Sequence, residues 1–307
     1  MIRLSIMAFL EGSSWNTVAL IPLVLFVISC FFESNDPVRF FAKYALYVIY
    51  SSSIAVLMLP YTLLSPKNVR NSRDGAFFMR YYTKLLGIEW DIRGKEELGK
   101  ERGCIVVANH QSILDVLGMF VMWGTMDKCA AVARRAVFYV FPFGPMAWLA
   151  GVVFIRRGDR GKSMETLLDT SELIKNQATK LFIFPEGSRN KDILKNGLGL
   201  FRRGAFRLAI HNQVPILPIV YSPYYFIDSE TRFFGHGKMI VKTLEPIPTV
   251  GLEEKDLDDL KERTRTIMQE EFDKLAIEVL AALPKDYPAN VASRNHFEKS
   301  KNVAKSL

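Results

Sequence analysis

The sequence predicts an α/β fold: a mixed, largely parallel sheet flanked by helices, preceded by an N-terminal two-helix membrane hairpin. Three observations carry this. Short apolar runs alternate with helical patterns from about residue 100 onward. Two long stretches in the first 66 residues hold no charge. Polar clusters follow the apolar runs directly, as they do where parallel strands end.

Cys104 to Ala108, all apolar, has the length of a buried strand. So do 152–155, 181–184 and 216–220, and 129–133 is a fifth. Between them, 162–175 places Met164, Leu167, Leu168, Ser171 and Ile174 at helical intervals. Segment 204–212 predicts another helix, 238–244 an outer strand and 255–283 a long helix with mixed charge. Residues 67–88 read as a helical connector with Phe77, Phe78, Tyr81, Tyr82, Leu85 and Leu86 on it. Periodicity fits equally a helix lying on a bilayer and one facing a core.

The N-terminal stretches are 12–32 and 44–66, each about the roughly 20 residues a helix needs to cross the hydrocarbon layer. The competing reading of the first, a cleaved signal peptide, fits less well. Arg3 alone makes a thin basic region, Glu11 interrupts, and no small-residue cleavage site follows. The expected arrangement is a hairpin with 33–43 as its turn, either crossing the bilayer or dipping into one leaflet. Lys67, Arg70, Arg73, Arg80 and Lys84 after the second stretch favour a cytosolic C-terminal part. Expected domains are a membrane hairpin at 1–66, an α/β domain at 67–285 and a basic tail at 286–307.

The net charge of +8 suits an anionic lipid surface or anionic substrates. It does not point to nucleic acid, because the basic residues lack an interleaved RNA-binding aromatic motif. Cys30, Cys104 and Cys129 have no paired spacing, so neither a disulfide framework nor a zinc site is expected. The chain has four histidines and no metal-binding spacing among them. A metal and a bound cofactor are therefore not expected.

The chemistry concentrates in two strings. Asn109-His110-Gln111-Ser112-Ile113-Leu114-Asp115 follows one strand, and Phe184-Pro185-Glu186-Gly187-Ser188-Arg189-Asn190 follows another. A hydroxyl nucleophile needs a base, and an imidazole with a reference pKa of about 6.5 suits the task. A carboxylate on the second ring nitrogen fixes the tautomer. His110 and Asp115 can fill these parts, with the substrate's own hydroxyl attacking directly. Ser112 and Ser188 lie in no nucleophile elbow. Ser112 fits a helix cap, and Ser188 a turn residue able to donate to phosphate. Arg189 offers the planar fork that binds phosphate bidentately. Gly187 allows close backbone approach, and Glu186 is expected to orient Arg189 or a substrate hydroxyl. Arg134, Arg135, Arg157, Arg202 and Arg203 are further basic candidates. Convergence is expected at three strand ends: Asn109-His110, Pro185-Glu186-Gly187 and Arg156-Arg157.

These residues resemble the 1-acylglycerol-3-phosphate acyltransferases of the glycerolipid acyltransferase superfamily. The first string is similar to that family's N-H-x4-D block and the second to its F-P-E-G-[ST]-R block. Gly151 to Arg157 resembles a further block with Arg157 at the usual arginine. Val214-Pro215-Ile216-Leu217-Pro218-Ile219 resembles the V-P-[IV]-x-P block. The blocks occur in family order over about residues 90 to 250. Two features depart from the family pattern. Val132-Ala133-Arg134-Arg135-Ala136 stands where many members read A-K-[RK]-E, and Phe201-Arg202-Arg203-Gly204 replaces F-K-[KR]-G.

The resemblance implies acyl transfer from acyl-CoA, a co-substrate, to the sn-2 hydroxyl of lysophosphatidic acid, giving phosphatidic acid. It implies His110 as base, Asp115 as its partner, and Glu186 and Arg189 in acceptor binding. Gly187, Ser188, Arg157, Arg134 and Arg202 complete the expected substrate site, and Val214 to Ile219 would shape its apolar part. It also implies an endoplasmic reticulum membrane location, with the bilayer as partner. Glycerol-3-phosphate or another lysophospholipid as acceptor, and an inactive lipid-binding scaffold, stay open as alternatives.

Overall fold

The computed structural model describes residues 36–156, 160–283 and 287. Helix α1 (Asp36–Leu63) opens this part, followed by α2 (Arg70–Leu85), β1 (Ile88–Arg93), the short α3 (Lys95–Gly99) and β2 (Cys104–Ala108). Next come α4 (Asp115–Met126), β3 (Cys129–Arg134), α5 (Arg135–Phe138), α6 (Phe143–Leu149), β4 (Val153–Ile155), α7 (Arg160–Leu168) and α8 (Ser171–Asn176). The remainder is β5 (Lys180–Ile183), α9 (Ile193–Asn196), α10 (Arg203–Asn212), β6 (Ile216–Tyr221), the small ribbon β7 (Ile227–Asp228) and β8 (Phe233–Phe234), β9 (Gly237–Thr243) and α11 (Leu257–Ala281).

The main sheet runs β1-β9-β6-β2-β5-β3-β4, with every neighbouring pair parallel except β6 and β9. This is the mixed, largely parallel sheet that the alternating pattern predicts. Strands β2 and β6 are buried along their whole length, which explains why they read as unbroken apolar runs. Helices α2 and α4 pack on each other and on the sheet, while α10 and α11 pack together against β2 and β6.

The structure departs from the sequence reading in three places. Segment 238–244 forms β9, which lies inside the sheet; the strand outside it is β1, whose first residue the connector reading absorbed. Gly87 separates α2 from β1 at φ +76°, where a Cβ would strike the His236 ring. Segment 162–175 is two helices, α7 and α8. Thr170 lies between them and donates its hydroxyl to Leu167 O, which diverts a carbonyl from the helical ladder.

The third departure concerns the hairpin. Its first arm, 12–32, lies outside the described residues. The expected turn is already helical from Asp36, and α1 runs on without a break to Leu63. Helix α1 is long and apolar enough to cross a membrane. It is also part of the core. Phe40, Tyr47, Ile54 and Met58 are buried, and the Tyr50 ring stacks on Tyr82 of α2 at 4.2 Å. The boundary drawn at residue 66 is therefore a composition boundary that packing crosses. Lys43, the last residue of the expected turn, is a buried peg. Its ammonium donates to Leu86 O (2.9 Å) and Gly235 O (3.0 Å) and lies over the Phe234 ring.

Helix α2 resolves the even choice left by periodicity. Ala76, Met79 and Tyr82 face the core, while Phe77, Tyr81 and Leu85 are exposed on another stripe.

Replacing Lys43 with Met removes a charge-assisted donor from two buried carbonyls and should cost about 1–3 kcal/mol. Thermal unfolding of the detergent-solubilised protein reads this as a lower midpoint. An unchanged midpoint would mean that α1 is not docked on the domain.

Candidate active site

Strands β5, β2 and β6 are adjacent and mutually parallel, so their C-terminal ends share one edge of the sheet. His110 lies two residues beyond β2, Glu186 three beyond β5, and Tyr221 ends β6. Of the three strand ends expected to converge, those of β2 and β5 meet. Strand β4 is the far edge of the sheet, and Arg157 lies outside the described residues. The third contributor is β6, through its backbone.

His110 Nδ1 is 2.7 Å from Asp115 Oδ2. Asp115 is completely buried, and the same oxygen accepts the backbone N–H of Gln111 (2.7 Å) and Ser112 (3.0 Å). The turn from His110 into α4 thus wraps around one carboxylate oxygen. Ser112 supports it through its hydroxyl, which accepts from Leu114 N. The imidazole stacks on Phe184 at 4.1 Å and stays partly open to solvent. With Nδ1–H donated to Asp115, Nε2 is left as a proton acceptor.

The residues beside His110 anchor it. Asn109 exchanges two hydrogen bonds with the backbone of Tyr221, at 2.8 and 3.1 Å. Gln111 donates to the carbonyls of Tyr221 and Ser222. The His110 carbonyl accepts from Asn190 N at 2.7 Å. Its N–H donates to Glu186 Oε1 at 2.9 Å.

That last bond corrects the expectation for Glu186. Its carboxylate is held by the main chain and not by Arg189: Oε1 takes the His110 N–H and Oε2 takes the Gly199 N–H at 2.9 Å. The group is buried, and desolvation raises its pKa against those two bonds. A Cβ on Gly199 would come to 2.5 Å from Oε2, so any side chain there would push the Glu186 carboxylate from its place. Glu186 is a staple between two loops. Among the features sequence reasoning missed, the roles of Asn109, Gln111 and Glu186 had a signal: polar side chains beside buried strands need partners.

Gly187 adopts φ +69°, and a Cβ there would collide with the Arg202 side chain. Arg202 donates Nε to Glu186 O and its backbone N–H to Pro185 O, so it braces this turn. Arg134 donates to Gly187 O at 3.1 Å. Ser188 is exposed and lines neither cavity described below. Arg189 is exposed and makes no hydrogen bond or ion pair among the described residues. Arg203 pairs with Asp258 away from this turn.

Two cavities meet at Arg189. One, of about 420 Å³, is mostly apolar and carries His110, Gly187, Arg134 and Arg189 on its wall. Helix α4 supplies Val116, Met119, Phe120 and Trp123 to it, and α1 and α2 supply Ile54, Gly75 and Met79. The other, of about 620 Å³, is bordered by Gln111, Ser112, Arg189, Lys191 and Lys195. Val214 to Ile219 line neither; β6 is buried in the sheet and acts through its end at Tyr221.

The acyltransferase family profile matches residues 89–222. Over 240 residues the chain is 35% identical to 1-acyl-sn-glycerol-3-phosphate acyltransferase alpha of Bos taurus, covering 78% of this chain and 82% of that one. It is 31% identical to the beta enzyme of Homo sapiens over 261 residues, 84% of this chain and 91% of the other. The chain belongs to the 1-acyl-sn-glycerol-3-phosphate acyltransferase family. The crystal structure of the 1-acyl-sn-glycerophosphate (LPA) acyltransferase PlsC from Thermotoga maritima has the same fold. Its TM-score is 0.59 at 20% identity, covering 84% of this chain and 97% of that one. The protein is thus an acyltransferase of phospholipid biosynthesis, as the sequence blocks imply.

In this acyltransferase, Glu186→Gln sets an amide NH2 against one of the two N–H groups the carboxylate holds. Turnover should fall roughly tenfold to a hundredfold, the effect of a slight misplacement of the base, with acceptor KM little changed. A raised acceptor KM at normal kcat would restore the ligand role first expected of Glu186.

Proposed function

We propose that the enzyme transfers the acyl chain of acyl-CoA to the sn-2 hydroxyl of lysophosphatidic acid, giving phosphatidic acid and free CoA. The observation that carries this reading is the His110–Asp115 pair, 2.7 Å apart, on the wall of an apolar cavity that also reaches Arg189, which has no ion pair among the described residues. The names of the relatives support the acceptor.

His110 Nε2 takes the hydroxyl proton as the glycerol oxygen attacks the thioester carbonyl. Asp115 stabilises the imidazolium that forms. The tetrahedral intermediate collapses with loss of the C–S bond, and the proton passes to the departing thiolate. No acyl-enzyme is involved. The apolar cavity suits a fatty chain, being walled by Met119, Phe120 and Trp123. Arg189 grips the acceptor phosphate from the boundary between the two cavities, and Arg134, Arg157 and Ser188 remain candidates to assist it. The reaction takes place at the membrane into which α1 is inserted, with the catalytic domain on the cytosolic side of the endoplasmic reticulum.

Purified enzyme supplied with acyl-CoA should release thiol with lysophosphatidic acid in preference to glycerol-3-phosphate and other lysophospholipids. No thiol release with any of these acceptors would sink the reading. His110→Ala should lower kcat by about 10²–10⁴, as general-base loss does; near-normal turnover would remove His110 from the mechanism. Arg189→Ala should chiefly raise KM for the phosphate-bearing acceptor, with Arg189→Lys intermediate. An acceptor KM untouched by both changes would take Arg189 out of the phosphate site.

A further inference from the structure

The turn between α5 and α6 presents Tyr139, Val140 and Phe141 with exposures of 68%, 56% and 76%, three consecutive large apolar side chains turned to solvent. Nothing in the proposed chemistry uses them. An exposed apolar cluster of this kind marks a contact with something apolar.

The turn is held rigidly. Val140 N donates to Val137 O, and Gly144 N donates to Val140 O at 2.7 Å. A Cβ on Gly144 would lie 2.0 Å from Phe138 O, so the chain closes tightly on itself there. Helix α6, which follows, packs against α1. Its C-terminal end is tied to α2: buried Asn71 donates to Leu149 O (3.1 Å) and Ser72 to Ala150 O (2.8 Å). The turn therefore cannot move independently of the two N-terminal helices.

Its surroundings favour lipid over a protein partner. Exposed Trp148 of α6 has the Lys67 ammonium 4.9 Å above its ring, and Lys67 follows closely on exposed Leu63, the last residue of α1, and exposed Leu64. Trp148 thus puts an exposed aromatic ring beside the end of α1, on the helix into which the turn leads. Arg135, exposed and without an ion pair among the described residues, flanks it. Aromatic rings beside Lys and Arg are the composition of a membrane–water interface. Pairing of the turn's own backbone groups lowers the cost of placing it there. Val137 and Phe143, on either side of the exposed triplet, line the apolar cavity that reaches His110.

We propose that Tyr139–Val140–Phe141 is a second membrane contact, a finger that enters the lipid beside α1 and sets one wall of the apolar cavity against the acyl-chain region of the bilayer. This rests on the reading that α1 lies in the membrane, and the experiment separates the two.

Single cysteines at Phe141, at Val48 on the exposed face of α1 and at Val250 on a distant exposed turn are labelled with an environment-sensitive fluorophore. The full-length enzyme is then reconstituted in phosphatidylcholine vesicles with and without phosphatidic acid. The Phe141→Cys label should be blue-shifted and quenched several-fold more by spin-labelled lipid than by aqueous iodide, as at Val48→Cys, whereas Val250→Cys should show the reverse. A lipid-quenched Val48 label beside an iodide-quenched Phe141 label overturns the finger and leaves the membrane helix standing. Iodide quenching at both sites overturns the membrane helix as well. A Phe141 label shielded from both quenchers only at high protein-to-lipid ratio makes the turn an interface between copies of the chain, and also overturns the proposal. Phe141→Ser provides a functional arm: several-fold lower turnover on bilayer-borne substrate, with turnover on short-chain monomeric substrate retained. Equal loss on both, or no loss on either, counts against the finger.

Discussion

A carboxylate cut off from water must be met by hydrogen bonds where it lies, and Asp115 meets this demand with a single oxygen. Oδ2 accepts from the His110 ring and from the N–H groups of Gln111 and Ser112, while Oδ1 is buried with no hydrogen bond of good geometry among the described residues. Three bonds on one atom leave little freedom for the turn. The path of 110–115, the start of α4 and the imidazole tautomer all follow from it. The rest of the site repeats the theme at the level of the main chain. His110 N–H goes to Glu186, His110 C=O to Asn190, and the side chains on either side of it go to the end of β6. The base is held by three adjacent strand ends, so its position is a property of the sheet.

That arrangement explains which parts were legible in the sequence. The strands of the central sheet were, because β2, β5 and β6 are buried at both faces and appear as short unbroken apolar runs. The pairing of His110 with Asp115 was, because a five-residue offset across a helix start brings two side chains together. The role of Glu186 was not. A carboxylate beside an arginine suggests an ion pair, and the partner it takes is the N–H of a residue 76 positions away. Strand β1 was also hidden. Its burial is graded rather than complete, and Gly87 is the only mark separating it from an apolar helix.

The N-terminal region shows why hydropathy alone leaves two readings open. An uncharged stretch can be a membrane helix or a core helix, and α1 has a face for each. One side buries Tyr47, Ile54 and Met58 against the domain, and the other exposes Val48, Ile49 and Val56. Window averages cannot separate two faces of one helix. Lys43 decides the matter locally. A lysine followed by a long apolar run looks like the edge of a span, yet its ammonium is consumed by two buried carbonyls from distant parts of the chain.

The same coupling shapes the apolar cavity. Arg73, near the start of α2, is bonded to Asp127, just past the end of α4, so the two packed helices run antiparallel. Gly75 therefore lies towards the end of α4 that is remote from Asp115. The cavity-lining face of α4 reaches Trp123, about 12 Å along the axis at ~1.5 Å per residue. Gly75 is buried in mid-helix, where glycine costs roughly 1 kcal/mol relative to alanine. No neighbour requires that cost, since a Cβ there would meet nothing within 4 Å. What a side chain would occupy is the cavity itself. The space extends from His110 lengthwise along α4, and its far end stays open because α2 carries no side chain at residue 75.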